Sequence, residues 1–151
     1  MRHLNLVLLT LCLLPGCTSL IPQSSLIDKH READTAYAAG HFEQSSSLYT
    51  SLAQTLPTDA GVRYQLGNSL ARQGDSPGAI ESYREALVRD PQHARAWHNL
   101  LQVQLREALL TAGEMRQMLN SQQPMADRAL DLGERLLDAM APRPEDAGQE
   151  P

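Results

Sequence analysis

The sequence predicts an all-α chain of stacked helical hairpins, closed at its C-terminal end by a capping pair of helices. Three observations carry this. Leu and Ala supply the packing, because the chain is 42% hydrophobic yet only 4% aromatic, with one Phe and one Trp; that balance favours helices over sheets. Apolar residues recur at helical spacing, as in Leu66 and Leu70 and then Ala79, Tyr83, Ala86 and Leu87. The chain also repeats itself: the shift that carries Gly40 onto Gly74 also carries Tyr49 onto Tyr83, Pro57 onto Pro91 and small Ala33 onto small Gly67. At 151 residues there is room for one domain of ordinary size.

Taken in order, the first segment stands outside this pattern. Arg2 precedes an apolar run, Leu4 to Leu14, interrupted only by Asn5 and Thr10. A bilayer span needs about 20 residues, so the run is too short to cross and has the length of a signal peptide. It ends in "LLPGC", which resembles the lipobox of bacterial lipoproteins: aliphatic Leu14 stands three before Cys17 and small Gly16 immediately before it. Pro15 departs from the family's usual small or aliphatic residue. The resemblance implies cleavage before Cys17, acylation of its thiol and amine, and hence a signal peptide over 1–16 and a lipidated tether over 17–25. Several acyl chains on one residue anchor firmly, where a single chain holds only marginally. Thr18, rather than an aspartate, implies sorting to the periplasmic face of the outer membrane. The competing expectation is an ordinary secretory signal and a soluble protein with a free Cys17. Cys12 leaves with the signal in either case, so no disulfide is expected. Loss of Arg2 takes the formal net charge from -5 to -6, which disfavours nucleic acid as a partner.

The helical domain is expected over 26–140. Its first unit, Leu26 to Asp59, has Gly40 at the turn, Phe42 and Tyr49 as packing aromatics and Pro57 as the stop. Glu32 occupies a core-leucine position, and Ser45 and Leu52 occupy places where the second unit has alanine; such departures fit a terminal repeat with one face in water. In the second unit, Ala60 to His93, Gly74 suits the left-handed end of a helix, Pro77 the first turn of the next, and Pro91 forbids continuation. Gly67 and Ala79 are expected to be small because the two helices cross there. The third unit runs from Ala94 with a long helix, Arg95 to Ala112, kinked at Gly113 and resuming to Leu119. "NSQQP" breaks it, and a last helix, Met125 to Met140, aligns Met125, Ala129, Leu132, Leu136 and Met140 on one face. The tail from Ala141 to Pro151 has three prolines and no large apolar residue, a composition expected to stay disordered.

A period of 34 with this patterning resembles the tetratricopeptide repeat. The residues that carry the resemblance are the Leu66-Gly67 pair, Ala79, Tyr83, Ala86 and Pro91, then Trp97, Asn99 and Leu100 in the third unit. It implies a short right-handed solenoid in which the first helix of each unit lines a concave groove. Carried over residue by residue, the groove holds Tyr64, Asn68, Ala71 and Arg72 from the second unit and Arg95, His98, Gln102 and Arg106 from the third, with Asn99 beside them. Asn68 and Asn99 suit a peptide backbone, and the arginines suit carboxylates. This is similar to half of the carboxylate clamp of chaperone-binding members; the lysine expected at Tyr64 is missing.

Catalytic signals are lacking. The histidines (His3, His30, His41, His93, His98) have no metal-ligand spacing. Ser45 to Ser47 form no nucleophile elbow, and no phosphate-binding glycine loop is present. No enzyme, cofactor or metal is therefore expected. The leading expectation is a lipid-anchored scaffold that binds a partner protein in the bacterial envelope, since similar small lipoproteins with this repeat assist pilus and secretion-system assembly, pilotins among them. The alternative is a regulatory lipoprotein of a cell-wall enzyme or outer-membrane assembly machine; a soluble periplasmic enzyme is a third class, disfavoured by the missing site. The lipid assignment is tested by Cys17→Ser: the substituted chain leaves the membrane fraction on a high-salt wash, and retention there would show that lipid is not the anchor.

Overall fold

The computed structural model describes residues 23–118 and 124–141, and these form six helices in chain order. They are α1 (Gln23–Ala38), α2 (Phe42–Thr55), α3 (Ala60–Gln73), α4 (Ser76–Arg89), α5 (Ala94–Met118) and α6 (Pro124–Ala139). Each packs against the next, and α3 also touches α5, so the units stack as a helical solenoid. The expected signal peptide, Cys17, residues 17–22 of the tether, the break after Leu119 and the tail beyond Ala141 lie outside the described residues.

The turns inside the first two units are built identically. At Gly40 (φ 81°) and Gly74 (φ 85°) the chain takes the left-handed conformation that other residues adopt only with strain. The amide of His41 donates to the carbonyl of Ala36 at 2.9 Å and that of Asp75 to Leu70 at 3.0 Å; the glycine amides reach Tyr37 at 3.0 Å and Ala71 at 3.2 Å. These paired bonds satisfy carbonyls that a helix end leaves free. Asp59 and Asp75 then cap α3 and α4 by accepting from the amides of Val62 (2.9 Å) and Gly78 (3.1 Å).

Two apolar clusters fill the stack. One joins Ala33, Tyr49, Leu52, Ala53, Val62 and Leu66 across α1, α2 and α3. The other joins α4 and α5 through residues that include Ala79, Tyr83, Ala86, Ala96 and Leu100, and Leu70 packs against both. Gly67 is small because α3 and α4 approach closely there, as expected, and the α4 side chain it accommodates is Tyr83: a Cβ there would stand 2.6 Å from the Tyr83 ring. Ser45 differs from expectation: it is fully buried, donating to the Ala33 carbonyl at 3.1 Å and sharing a hydrogen bond with Ser69 at 2.9 Å. Its hydroxyl is satisfied inside the stack, so no watery face is needed to tolerate it.

Three further expectations are corrected. Helix α1 starts at Gln23, taking in 23–25 of the expected tether, because first-turn amides need no helical partner and a polar first turn shows no apolar period. Helix α5 runs unbroken through Gly113 to Met118: a single helical glycine costs about 1 kcal/mol relative to alanine, and buried Ala112 holds this stretch. Helix α6 is rotated from its expected setting. Ala126 and Gly133 are its buried residues, while Met125, Leu132 and Leu136 are exposed. The cause is close approach, since a Cβ on Gly133 would lie 2.4 Å from the Leu109 side chain.

Two alanine substitutions should therefore act in opposite directions. Gly67→Ala forces a methyl into a buried ring and should cost about 1–3 kcal/mol. Gly113→Ala enters open space and should gain up to about 1 kcal/mol from helix propensity. Urea denaturation midpoints check both; equal effects at the two sites would contradict the packing.

Candidate functional site

The first helices of the units, α1, α3 and α5, bring their polar residues to one hollow, whose side chains include Tyr37, Asn68, Arg72, Asn99, Gln102 and Arg106. Asn68 organises its floor. Its side-chain oxygen accepts from the Tyr83 hydroxyl at 2.9 Å and from the Asn99 amide at 2.8 Å, while its own amide donates to Gln65 at 2.8 Å. Asn99 also donates to the Tyr64 hydroxyl at 3.4 Å. Tyr64 packs between rings, with centroids 6.1 Å from Tyr83 and 4.7 Å from His93. The arrangement repeats in the first unit, where Tyr49 donates to Asp34 and the other Asp34 oxygen meets His30 at 3.1 Å.

Of the residues expected in the groove, Asn68, Ala71, Arg72, Asn99, Gln102 and Arg106 come together. Tyr64 joins them through its hydroxyl. Arg95 and His98 do not: Arg95 is exposed in the first turn of α5, and His98 borders a separate hollow with Trp97 and Leu101. Tyr37 and Tyr83 line the site and were not expected there. Tyr37 was findable, because it stands one repeat before Ala71; applying the groove positions to the first unit yields His30, Asp34 and Tyr37 as well. Tyr83 reads as core by its spacing, and only the structure shows its hydroxyl reaching the groove.

The two arginines differ in freedom. Arg72 lies over the Phe42 ring, 4.6 Å from its centroid, which fixes the side chain at the groove edge. Arg106 is exposed and lies close enough to Tyr83 to favour its ionised form. Burial outweighs that attraction and pushes the Tyr83 hydroxyl well above the ordinary tyrosine value of 10.0. Tyr49 is raised likewise, by burial first and then by Asp34. Both tyrosines therefore stay neutral donors near neutral pH. The hollow offers amide donors and acceptors, a phenol and two cations, which suits an extended backbone carrying a carboxylate. Among the described residues, no group of three or more His, Cys, Asp or Glu side chains is placed to share a metal ion.

A family model described as tetratricopeptide repeat matches residues 30–94 and 64–114, together more than half of the chain. The chain is 34% identical over 107 residues to cellulose synthase operon protein C of Xanthomonas axonopodis pv. citri, covering 71% of this chain and 7% of that protein. It is 40% identical over 85 residues to mouse protein O-mannosyl-transferase TMTC1, covering 56% of this chain and 9% of that one. It thus spans less than a tenth of the length of these relatives. The crystal structure of the Sgt2 TPR domain from Aspergillus fumigatus superposes with a TM-score of 0.54 at 19% identity, over 86% of this chain and 87% of that one; at that identity it shows the fold alone.

Stability should fall in alkali. A group whose pKa is higher folded than unfolded contributes stability that is complete below its unfolded value and is lost as pH rises toward the folded one. For Tyr49 and Tyr83 the loss begins near pH 10, where the unfolded phenols ionise. Urea melts from pH 8 to 11 should show the decline, shallower in Tyr83→Phe than in the parent; parallel profiles would contradict burial of the phenol.

Proposed function

This chain belongs to the tetratricopeptide repeat family, and from that premise we propose that it is a lipid-anchored adaptor that binds a segment of a partner protein in the groove of α1, α3 and α5. The observation that carries the reading is the pair Arg72 and Arg106, which enter one hollow from successive first helices above the Asn68–Asn99 hydrogen bond. Guanidinium groups hold their charge and grip carboxylates with two hydrogen bonds, while side-chain amides serve a peptide backbone. The partner segment is accordingly acidic, or ends in a free carboxylate. On a chain of net charge -5 such a patch is locally distinct from its surroundings.

The anchor rests on the lipobox-like "LLPGC", and the proposed location is the periplasmic face of the outer membrane. There the adaptor serves assembly of a pilus or secretion machine, the role that similar small lipoproteins have. The transferase named in the mouse relative is a protein of which this chain spans 9%.

The test pairs two double substitutions in a crosslinking capture from intact envelopes. Arg72→Ala with Arg106→Ala should abolish capture while preserving the helical circular dichroism, with a small loss in melting temperature because the Arg72–Phe42 contact, worth about 0.5–1 kcal/mol, is removed. Arg128→Ala with Arg135→Ala on α6 should leave capture intact. The reverse result would place the binding face on α6 and overturn the groove.

A further inference from the structure

We infer that the chain pairs with a second copy of itself, each α6 seating in a trough between α4 and α5 of the other. The trough is a consequence of the third unit's departure from the repeat. In the second unit α4 covers the face of α3 bearing Arg63, Gly67 and Leu70. The same positions one repeat later are Trp97, Leu101 and Gln104, but α5 runs on to Met118 and no second helix folds back there among the described residues. Helix α6 pairs instead further along α5, with Gly133 against Leu109 and Asp127 3.6 Å from Arg116. The seat is left open as a hollow lined by Leu87, Val88, Trp97, Leu100 and Gln104, with Arg84 at its edge and Leu101 beside it. Val88 is 80% exposed, Trp97 54% and Leu101 53%.

The occupant is written on the same chain. Helix α6 buries one apolar row and leaves a second, Met125, Leu132 and Leu136, at 68%, 54% and 46% exposure. The Arg116–Asp127 and Leu109–Gly133 pairings make α5 and α6 antiparallel. With 3.6 residues per turn, that orientation turns the bare row of α6 and the Trp97–Leu101 flank of α5 to the same side. A two-fold axis on that side seats each ridge in the other's trough, a closed, self-complementary arrangement. The six bare side chains together present roughly 700 Å² per copy, close to the ~800 Å² per partner of a standard interface. Residues 142–151 carry no large apolar side chain.

Sedimentation of the full chain in detergent at about 50 μM, a concentration that reports dissociation constants in the micromolar range, should give a dimer mass. Leu132→Glu with Leu136→Glu should give a monomer with unchanged circular dichroism, and so should Trp97→Glu. Each places a carboxylate in an apolar contact, which should weaken pairing at least about tenfold. Mixing the two monomeric variants should give at most a mixed dimer weaker than the parent's, because one of its two seats joins an intact α6 to an intact trough while the other carries both changes. A wild-type monomer would overturn the proposal. So would a Trp97→Glu chain that stays dimeric, since that outcome marks ridge-on-ridge pairing of α6 with α6.

Discussion

The packing of the Tyr83 ring against Gly67 is the contact on which the rest depends. The ring fills the interface of α3 and α4, and only the absence of a Cβ lets the helices close to that distance. Its hydroxyl emerges on the far side and bonds Asn68, which in turn holds Asn99 of the next unit. One side chain thus sets the helix crossing inside and the position of groove amides outside. The first unit repeats the device with Tyr49 and Asp34. There Ala33 stands where Gly67 does, and both Ala33 and Tyr49 are buried. Core packing and groove geometry are coupled at these positions, since a phenol that shifts in the core also moves the groove floor.

The second organising feature is a missing turn. At the places where Gly40-His41 and Gly74-Asp75 end their helices, the third unit has Ala108-Leu109, flanked by Glu107, all good helix formers. The helix therefore continues, and α6 meets α5 several turns beyond the regular seat. Two kinds of surface are separated by this departure. The concave side keeps the polar residues of regular repeats, and the opposite flank carries bare apolar surface of a kind that marks interaction sites.

Much of this was legible from residues alone, because it rests on local stereochemistry. Glycines that take positive φ, aspartates that cap, and a repeating shift that superimposes tyrosine on tyrosine locate the first four helices. What failed was rotational or long-range. Apolar residues cover a wide arc of α6, so periodicity could not say which part faces α5; Gly133 decided it by letting Leu109 approach. Arg95 and His98 share the groove's sequence positions, but at the start of α5 one remains on the edge and the other turns to the Trp97 flank. Tyr83 was assigned to packing by its spacing, and spacing carries no information about where a phenol's oxygen ends.

A double-mutant cycle in urea tests the central contact most directly. The stability cost of Gly67→Ala is measured in the parent chain and again in Tyr83→Leu, where the ring that forbids a methyl is gone. The account predicts a cost of about 1–3 kcal/mol in the parent that disappears or reverses sign in the second background, a coupling of at least about 1 kcal/mol. Equal costs in the two backgrounds would mean that the glycine answers to something other than Tyr83.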